Sequence, residues 1–115
     1  MKRGDVYWAD LKPRSGSEQR GRRPVIVVSH DAFNQVPHWR SVIVVPVSTS
    51  PRQARRGPTA IFLSRGTAGL PQDSLALCHQ VTTLDRAKLT RRIGSLSDSE
   101  LAEIGRRLKT AQDLP

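Results

Sequence analysis

Residues 24–29 read Pro-Val-Ile-Val-Val-Ser, and residues 41–48 read Ser-Val-Ile-Val-Val-Pro-Val-Ser. Both runs are β-branched, too short for a helix, and apolar without alternation. Val and Ile are stiff at χ1 and pack well on a pleated surface, so each run reads as a buried strand. Pro46 lacks an amide hydrogen and predicts an edge or a bulge near the end of the second run. Working outward, Asp5–Leu11 alternates, with Val6, Trp8 and Leu11 set against Asp5 and Asp10, and Trp8 is expected in the core. Thr59–Ser64, Leu75–Val81 and Arg92–Ser95 supply further strands. Five or six short strands with Gly/Pro-rich turns predict a mainly β chain forming a small β-barrel. The end of the chain is helical. Ser97 and Glu100 have capping-box spacing, Leu96 and Leu101 take the staple positions, and Leu101, Ile104 and Leu108 form an apolar stripe. This predicts a helix from 98 to about 111 that closes one face of the barrel. Short helical turns are expected at Asp31–Gln35 and Asp85–Lys88.

The chain has 115 residues, one domain over 1–115, and 37% of them are hydrophobic. Its loudest property is charge: 19 Lys and Arg against 10 Asp and Glu, net +9. Residues 1–66 hold 12 of the cations and 4 of the anions, so the field is concentrated in the first half. Arg dominates the cations, and guanidinium grips phosphate bidentately, which points to a polyanion partner. No apolar run approaches a membrane span, and no apolar segment follows the charged N-terminus, so a soluble cytoplasmic protein without a membrane role is expected. Cys78 is the one cysteine and reads as a small buried hydrophobe. With His30, His38 and His79 it gives no zinc spacing, and neither a Walker loop nor a dinucleotide fingerprint is present. No cofactor and no metal are called for.

Two polar loops carry the chemistry. Residues 12–23, Lys-Pro-Arg-Ser-Gly-Ser-Glu-Gln-Arg-Gly-Arg-Arg, hold five cations and one anion, with no large apolar residue to pack. Residues 49–58 hold Arg52, Arg55 and Arg56 and no anion. If the two β-branched strands are neighbours, both loops flank one groove. Such a groove has the parts for cutting RNA without metal: a cation and donors for the phosphorane, and a base for the ribose 2′-OH. Arg23, Ser48 and Thr49 are candidate phosphate donors, and Glu18 or His79 is a candidate base. Arg14, Arg20, Arg22, Arg52, Arg55 and Arg56 are candidate phosphate contacts. Trp39, in the polar segment Pro37-His-Trp-Arg40, is a candidate for stacking a base or packing a rim. Asp73 and Ser74 read as turn residues.

Seven blocks in order then carry a resemblance: Arg3-Gly-Asp-Val-Tyr-Trp, Gly16-Ser-Glu-Gln-x-Gly-x-Arg-Pro24, Val25-Ile-Val-Val-Ser, Val45-Pro-Val-Ser-Thr-Ser, Gly69-Leu-x-x-Asp-Ser74, Gln80-Val-Thr-Thr-Leu-Asp85 and Leu89-Thr-Arg-Arg-Ile-Gly94. Nearly the whole chain resembles the MazF/PemK family of toxins from type II toxin–antitoxin modules. The resemblance implies an SH3-like β-barrel, a homodimer, and a sequence-specific, metal-independent endoribonuclease that cuts single-stranded RNA to a 2′,3′-cyclic phosphate and a 5′-hydroxyl. It also implies a cognate antitoxin that blocks the groove with an acidic, partly disordered segment. The family's functional arginine before proline maps to Arg23, its glutamate to Glu18, and its strand-end hydroxyl to Ser48, with Thr49 one residue away. Alternation from Val45 and Val47 selects Ser48 for the groove face. PemK-like members carry Asp and Arg where this chain has His79 and Leu77, so that acid/base pair does not transfer whole. Guanidinium does not deprotonate in proteins, so Arg23 is assigned charge stabilisation. Two non-catalytic readings compete: a gyrase poison like CcdB, which shares the expected fold, and a DNA-binding repressor with a helix-turn-helix over Leu84–Lys109.

Overall fold

The computed structural model describes residues 1–11, 21–49 and 57–115. Among the described residues seven antiparallel strands run β1 (Asp5–Leu11), β2 (Gly21–Val27), β3 (Ser41–Ser48), β4 (Ala60–Leu63), β5 (Ser74–Leu77), β6 (Thr82–Asp85) and β7 (Leu89–Ser95), one more than the five or six expected. Helix α1 is a single turn, Asp31–Asn34, and α2 spans Asp98–Gln112. The sheet order is β4-β5-β3-β2-β1-β7, with β6 also paired to β3. It curls into a barrel-like shape without closing, and among the described residues β4, β6 and β7 each pair on one side only.

The β-branched runs pair with each other through Val25–Pro46, Ile26–Val45 and Val27–Val44. Pro24–Val27 and Val44–Ser48 are buried on both faces, which explains their lack of alternation, whereas in the first half of β3 burial alternates and Ile43 is exposed. Val6, Ile26, Val45 and Val47 enter one core with Leu63, Leu70, Ala76, Cys78, Leu96 and Ile104. Ala9, Val25, Val42 and Val44 enter a second, smaller one, against Tyr7, Leu11, Leu84 and Leu89. Helix α2 covers the first core through Ile104, with Leu101 and Leu108 alongside. Its N-terminus is closed reciprocally: Glu100 N donates to Ser97 Oγ (3.2 Å) and Ser97 N to Glu100 Oε1 (2.8 Å), which satisfies two of the orphan donors at that end. No helix among the described residues is long and apolar enough to cross a membrane.

Several expectations are corrected. Pro46 lies on a central strand, not an edge. On the side away from β2, the first half of β3 (Ser41–Val44) pairs with β6, and its end (Val47, Ser48) pairs with β5. Ile43 O accepts from Val28 N on the β2 side (2.9 Å). By strand alternation the missing hydrogen of Pro46 therefore faces the gap between the two partners, where no ladder bond is needed. The same gap explains why Leu75–Val81 is not one strand. The chain leaves β5 at Leu77, makes a 3-10 turn over Cys78–Gln80, and re-enters the sheet as β6. Strands β2 and β7 start earlier than predicted because β1 pairs with both, as far as Leu11–Gly21 and Ala9–Leu89. The second helical turn is a 3-10 turn, Arg86–Lys88, capped by Asp85, which accepts from Ala87 N (2.8 Å). That bond holds the Asp85 carboxyl below its ordinary pKa. A helix-turn-helix over Leu84–Lys109 is overturned, since this stretch contributes the end of β6 and all of β7 before α2. Trp8 is half-buried and belongs to neither core.

The Gly69–Ser74 motif is structural. Gly69 has φ +78°, and a Cβ there would lie 2.7 Å from the Ile93 carbonyl oxygen. Leu70 is fully buried, Asp73 accepts from Arg65 N (2.8 Å), and Ser74 Oγ donates to Gln72 O (2.7 Å). Across the same contact, a Cβ on Gly94 would overlap the Ala68 carbonyl. Both clashes are with backbone, which cannot step aside cheaply. Gly69→Ala and Gly94→Ala are each expected to cost about 2–4 kcal/mol. Gly21→Ala, with φ +79° but nothing within 4 Å, should cost only about 1–2 kcal/mol. Urea unfolding of the three variants checks this, and a loss at Gly94 no larger than that at Gly21 would remove the close-contact explanation.

Candidate active site

Antiparallel pairing decides where the two charged loops leave the sheet. The Leu11–Gly21 pair closes the stem of the loop that follows β1. Because β2 and β3 run in opposite directions, the start of β2 lies beside the end of β3, where the second loop begins. Counting on from Val25–Pro46 brings Arg23 level with Ser48 and Arg22 level with Thr49. Directly opposed residues share a face, so Arg23 and Ser48 are on one face of the sheet and Arg22 on the other. Arg23 is exposed, pairs with Ala9 in the ladder, and its Nη1 donates to the Arg22 carbonyl (3.2 Å). Ser48 pairs with Leu75 and is 5% exposed, whereas Thr49 is exposed. Alternation alone does not set a groove face here, because burial runs unbroken from Val44 to Ser48. Parity puts Ser48 with Arg23; exposure favours Thr49.

Other candidates stand elsewhere. His79 is exposed on the 3-10 turn beyond β5. Leu75 is the residue level with Ser48, and the turn that carries His79 packs against β3. Trp39 lies two residues before β3, whose first residue, Ser41, is roughly 23 Å from Ser48 at ordinary strand rise. Its ring packs on Phe33 (centroids 4.8 Å apart) and remains 44% exposed. Glu18, Arg14, Arg20, Arg52, Arg55 and Arg56 lie outside the described residues.

The placement of three further residues was not legible in the sequence. Arg86 organises the turn that bears Trp39: its guanidinium donates to the carbonyls of Trp39 (2.8 Å), Asn34 (2.9 Å), Phe33 (3.2 Å) and Val36 (3.2 Å). Nothing in composition singles it out among 15 arginines. Trp8 and Arg91 are paired across β1 and β7, and with Arg22 they line an open cleft of about 360 Å³. The Arg22 guanidinium carbon sits 5.4 Å from the Trp8 ring centroid, a cation–π distance. The signal was present in parity: Trp8 alternates with Ala9, as Arg22 does with Arg23. Among the described residues no three His, Cys, Asp or Glu side chains converge as metal ligands would.

Residues 2–111 match the family described as PemK-like, MazF-like toxin of type II toxin-antitoxin system. The chain belongs to this family. A relative in it, endoribonuclease MazF6 of Mycobacterium tuberculosis, is 35% identical over 114 residues, covering 99% of this chain and 98% of its own. Among solved structures, MazF from Deinococcus radiodurans superposes with a TM-score of 0.80 at 25% identity, covering 99% of this chain and 97% of its own. A mycobacterial endoribonuclease in complex with its cognate antitoxin gives a TM-score of 0.74 at 25% identity, over 100% of this chain and 95% of that one.

Cys78 shows how the turn before β6 is anchored. It is fully buried in the first core. Burial, reinforced by Glu103 and partly opposed by Arg107, pushes its thiol from 9.0 up to about 11. The thiolate is thus disfavoured in the folded chain relative to the unfolded one. Stability from this group is complete below about pH 9 and is lost as pH rises towards 11. Denaturation midpoints of wild type should fall over that window more steeply than those of Cys78→Ala. Parallel pH profiles of the two proteins would contradict the assignment.

Proposed function

We propose that the chain is an endoribonuclease toxin that cuts single-stranded RNA at specific sequences and is inhibited by a cognate antitoxin. The observation that carries the reading is the convergence, at one end of the sheet, of the stems of both cationic loops, with Arg23 and Ser48 level on one face. In the proposed reaction the ribose 2′-OH loses a proton and attacks the adjacent phosphorus. The 5′-oxygen leaves, giving a 2′,3′-cyclic phosphate and a 5′-hydroxyl. Arg23 neutralises the charge that grows on the non-bridging oxygens. Ser48 or Thr49 donates to the same phosphate. Glu18 or His79 is the base: the loop of Glu18 springs from the Leu11–Gly21 stem next to Arg23, and His79 stands exposed on the turn between β5 and β6. No step requires a metal. The loop arginines Arg14, Arg20, Arg52, Arg55 and Arg56 hold phosphates along the strand.

The partners follow from charge. A protein of net +9 suits both RNA and an acidic antitoxin segment competing for the same surface. A homodimer and a cytoplasmic setting, as the family resemblance implies, complete the proposal.

The test is a single-turnover rate on one defined oligonucleotide in EDTA, with end-group analysis of the fragments. Wild type should cut internally to the stated ends. Arg23→Ala should lose at least about 100-fold, the usual consequence of removing a preorganised donor. Its exposed side chain predicts unchanged melting. Ser48→Ala should lose roughly 10- to 1000-fold and, being buried, about 1 kcal/mol of stability. Thr49→Val should do much less. A crippled Thr49→Val beside an active Ser48→Ala would move the donor role to the exposed hydroxyl. RNA left intact by wild type would overturn the reading.

A further inference from the structure

The Trp8 cleft lies on the opposite sheet face from Arg23 and Ser48, yet at the same loop-bearing end. Three adjacent strands build it: Arg22 on β2, Trp8 on β1 and Arg91 on β7. The register sets Trp8 opposite Arg91 and next to the Asp10–Arg22 pair, so the row reads cation, indole, cation. Among the described residues no ion pair engages Arg22 or Arg91. Both are exposed. The chain has only five aromatic residues, and it leaves this one half-buried beneath a guanidinium rather than packing it into either core. An indole and a planar guanidinium in contact offer a flat π surface, and two uncommitted cations flank it. That combination fits a ligand with an aromatic plane joined to a phosphate.

We propose that the Trp8–Arg22–Arg91 cleft is a second RNA subsite, holding one nucleotide outside the scissile step. Its base lies on the indole–guanidinium stack, and its phosphate lies between Arg22 and Arg91. The proposal rests on the endoribonuclease reading above. Arg22 and Arg23 are consecutive in β2, so their side chains leave opposite faces. An RNA strand that passes the start of β2 meets Arg23 with its reacting phosphate and Arg22 with a neighbouring nucleotide. Stacking accepts any base, so this subsite adds affinity and position without choosing sequence.

The experiment uses the full chain and a fluorescein-labelled 12-nucleotide RNA, 2′-O-methylated to prevent cutting, followed by anisotropy across a KCl series. The same sequence with a 2′-OH is used for cleavage. Arg22→Gln and Arg91→Gln should each weaken binding and flatten the salt dependence by about 0.7 units of slope, one single-strand phosphate contact. Trp8→Leu should weaken binding about tenfold or more with the slope unchanged, and Trp8→Phe should restore most of it. In single-turnover cleavage, all the weakening variants should raise the protein concentration needed for half-maximal rate. The saturating rate and the map of cut sites should stay as in wild type. Arg22 and Arg91 are exposed, so their variants keep the test valid if Trp8→Leu melts early. Unchanged affinity and slope in both arginine variants would overturn the subsite while leaving the nuclease reading intact. So would loss of binding to a polyglutamate probe with RNA binding untouched, which would give the cleft to a protein partner. Failure of wild type to bind or cut the RNA would overturn the nuclease reading itself, and the subsite with it.

Discussion

Pro46 has no amide hydrogen to give, and the architecture is arranged around that lack. It sits on the strand with the most partners, at the point where β3 exchanges β6 for β5. A residue with an N–H there would have left a buried donor facing a gap, at a cost comparable to a lost hydrogen bond. The fork lets one strand serve two ladders, so that β5 and β4 fold over the first core while β6 leads to β7. Burial of Val44–Ser48 on both faces follows, and with it the filling of two separate cores, one by Val42 and Val44 and the other by Val45 and Val47.

Much of the frame was legible because local chemistry and tertiary demand agree. Strands Asp5–Leu11 and Ser41–Ser48 and the capped start of α2 are where the alternation, the β-branched run and the Ser97–Glu100 pair place them. What was illegible depends on partners. The break between β5 and β6 cannot be read from Leu75–Val81, whose residues suit a continuous strand; it is imposed by the fork on β3. Trp8 looked like core because an alternating strand assigns it inward, and only the arginines on its two neighbouring strands explain its exposure.

The functional end was legible as two charged loops and a conditional: they flank one groove only if the β-branched runs are neighbours. The antiparallel β2–β3 pair meets that condition for the loop stems. Parity arguments did less well. They rely on one face being wet, and in a strand covered on both sides they distinguish two interiors rather than an interior from a groove. His79 and Trp39 were singled out as residue types, and residue type carries no address. Their positions are fixed by a turn after β5 and by the carbonyl clamp of Arg86, neither of which has a local pattern.

An incompletely closed sheet keeps strand edges without a ladder partner, among the described residues those of β4, β6 and β7, and such rims are where chains recruit copies of themselves. The rims are guarded differently. Those of β4 and β6 are only four residues long, too short to template an extended ladder. The β7 rim is seven residues long but carries adjacent Arg91 and Arg92. A second β7 laid antiparallel against it would bring guanidinium against guanidinium, and like charges across a strand pair repel. The longer rim is therefore selective: it resists zipping to its own kind, while an incoming strand rich in carboxylates would find its charge matched along the same row.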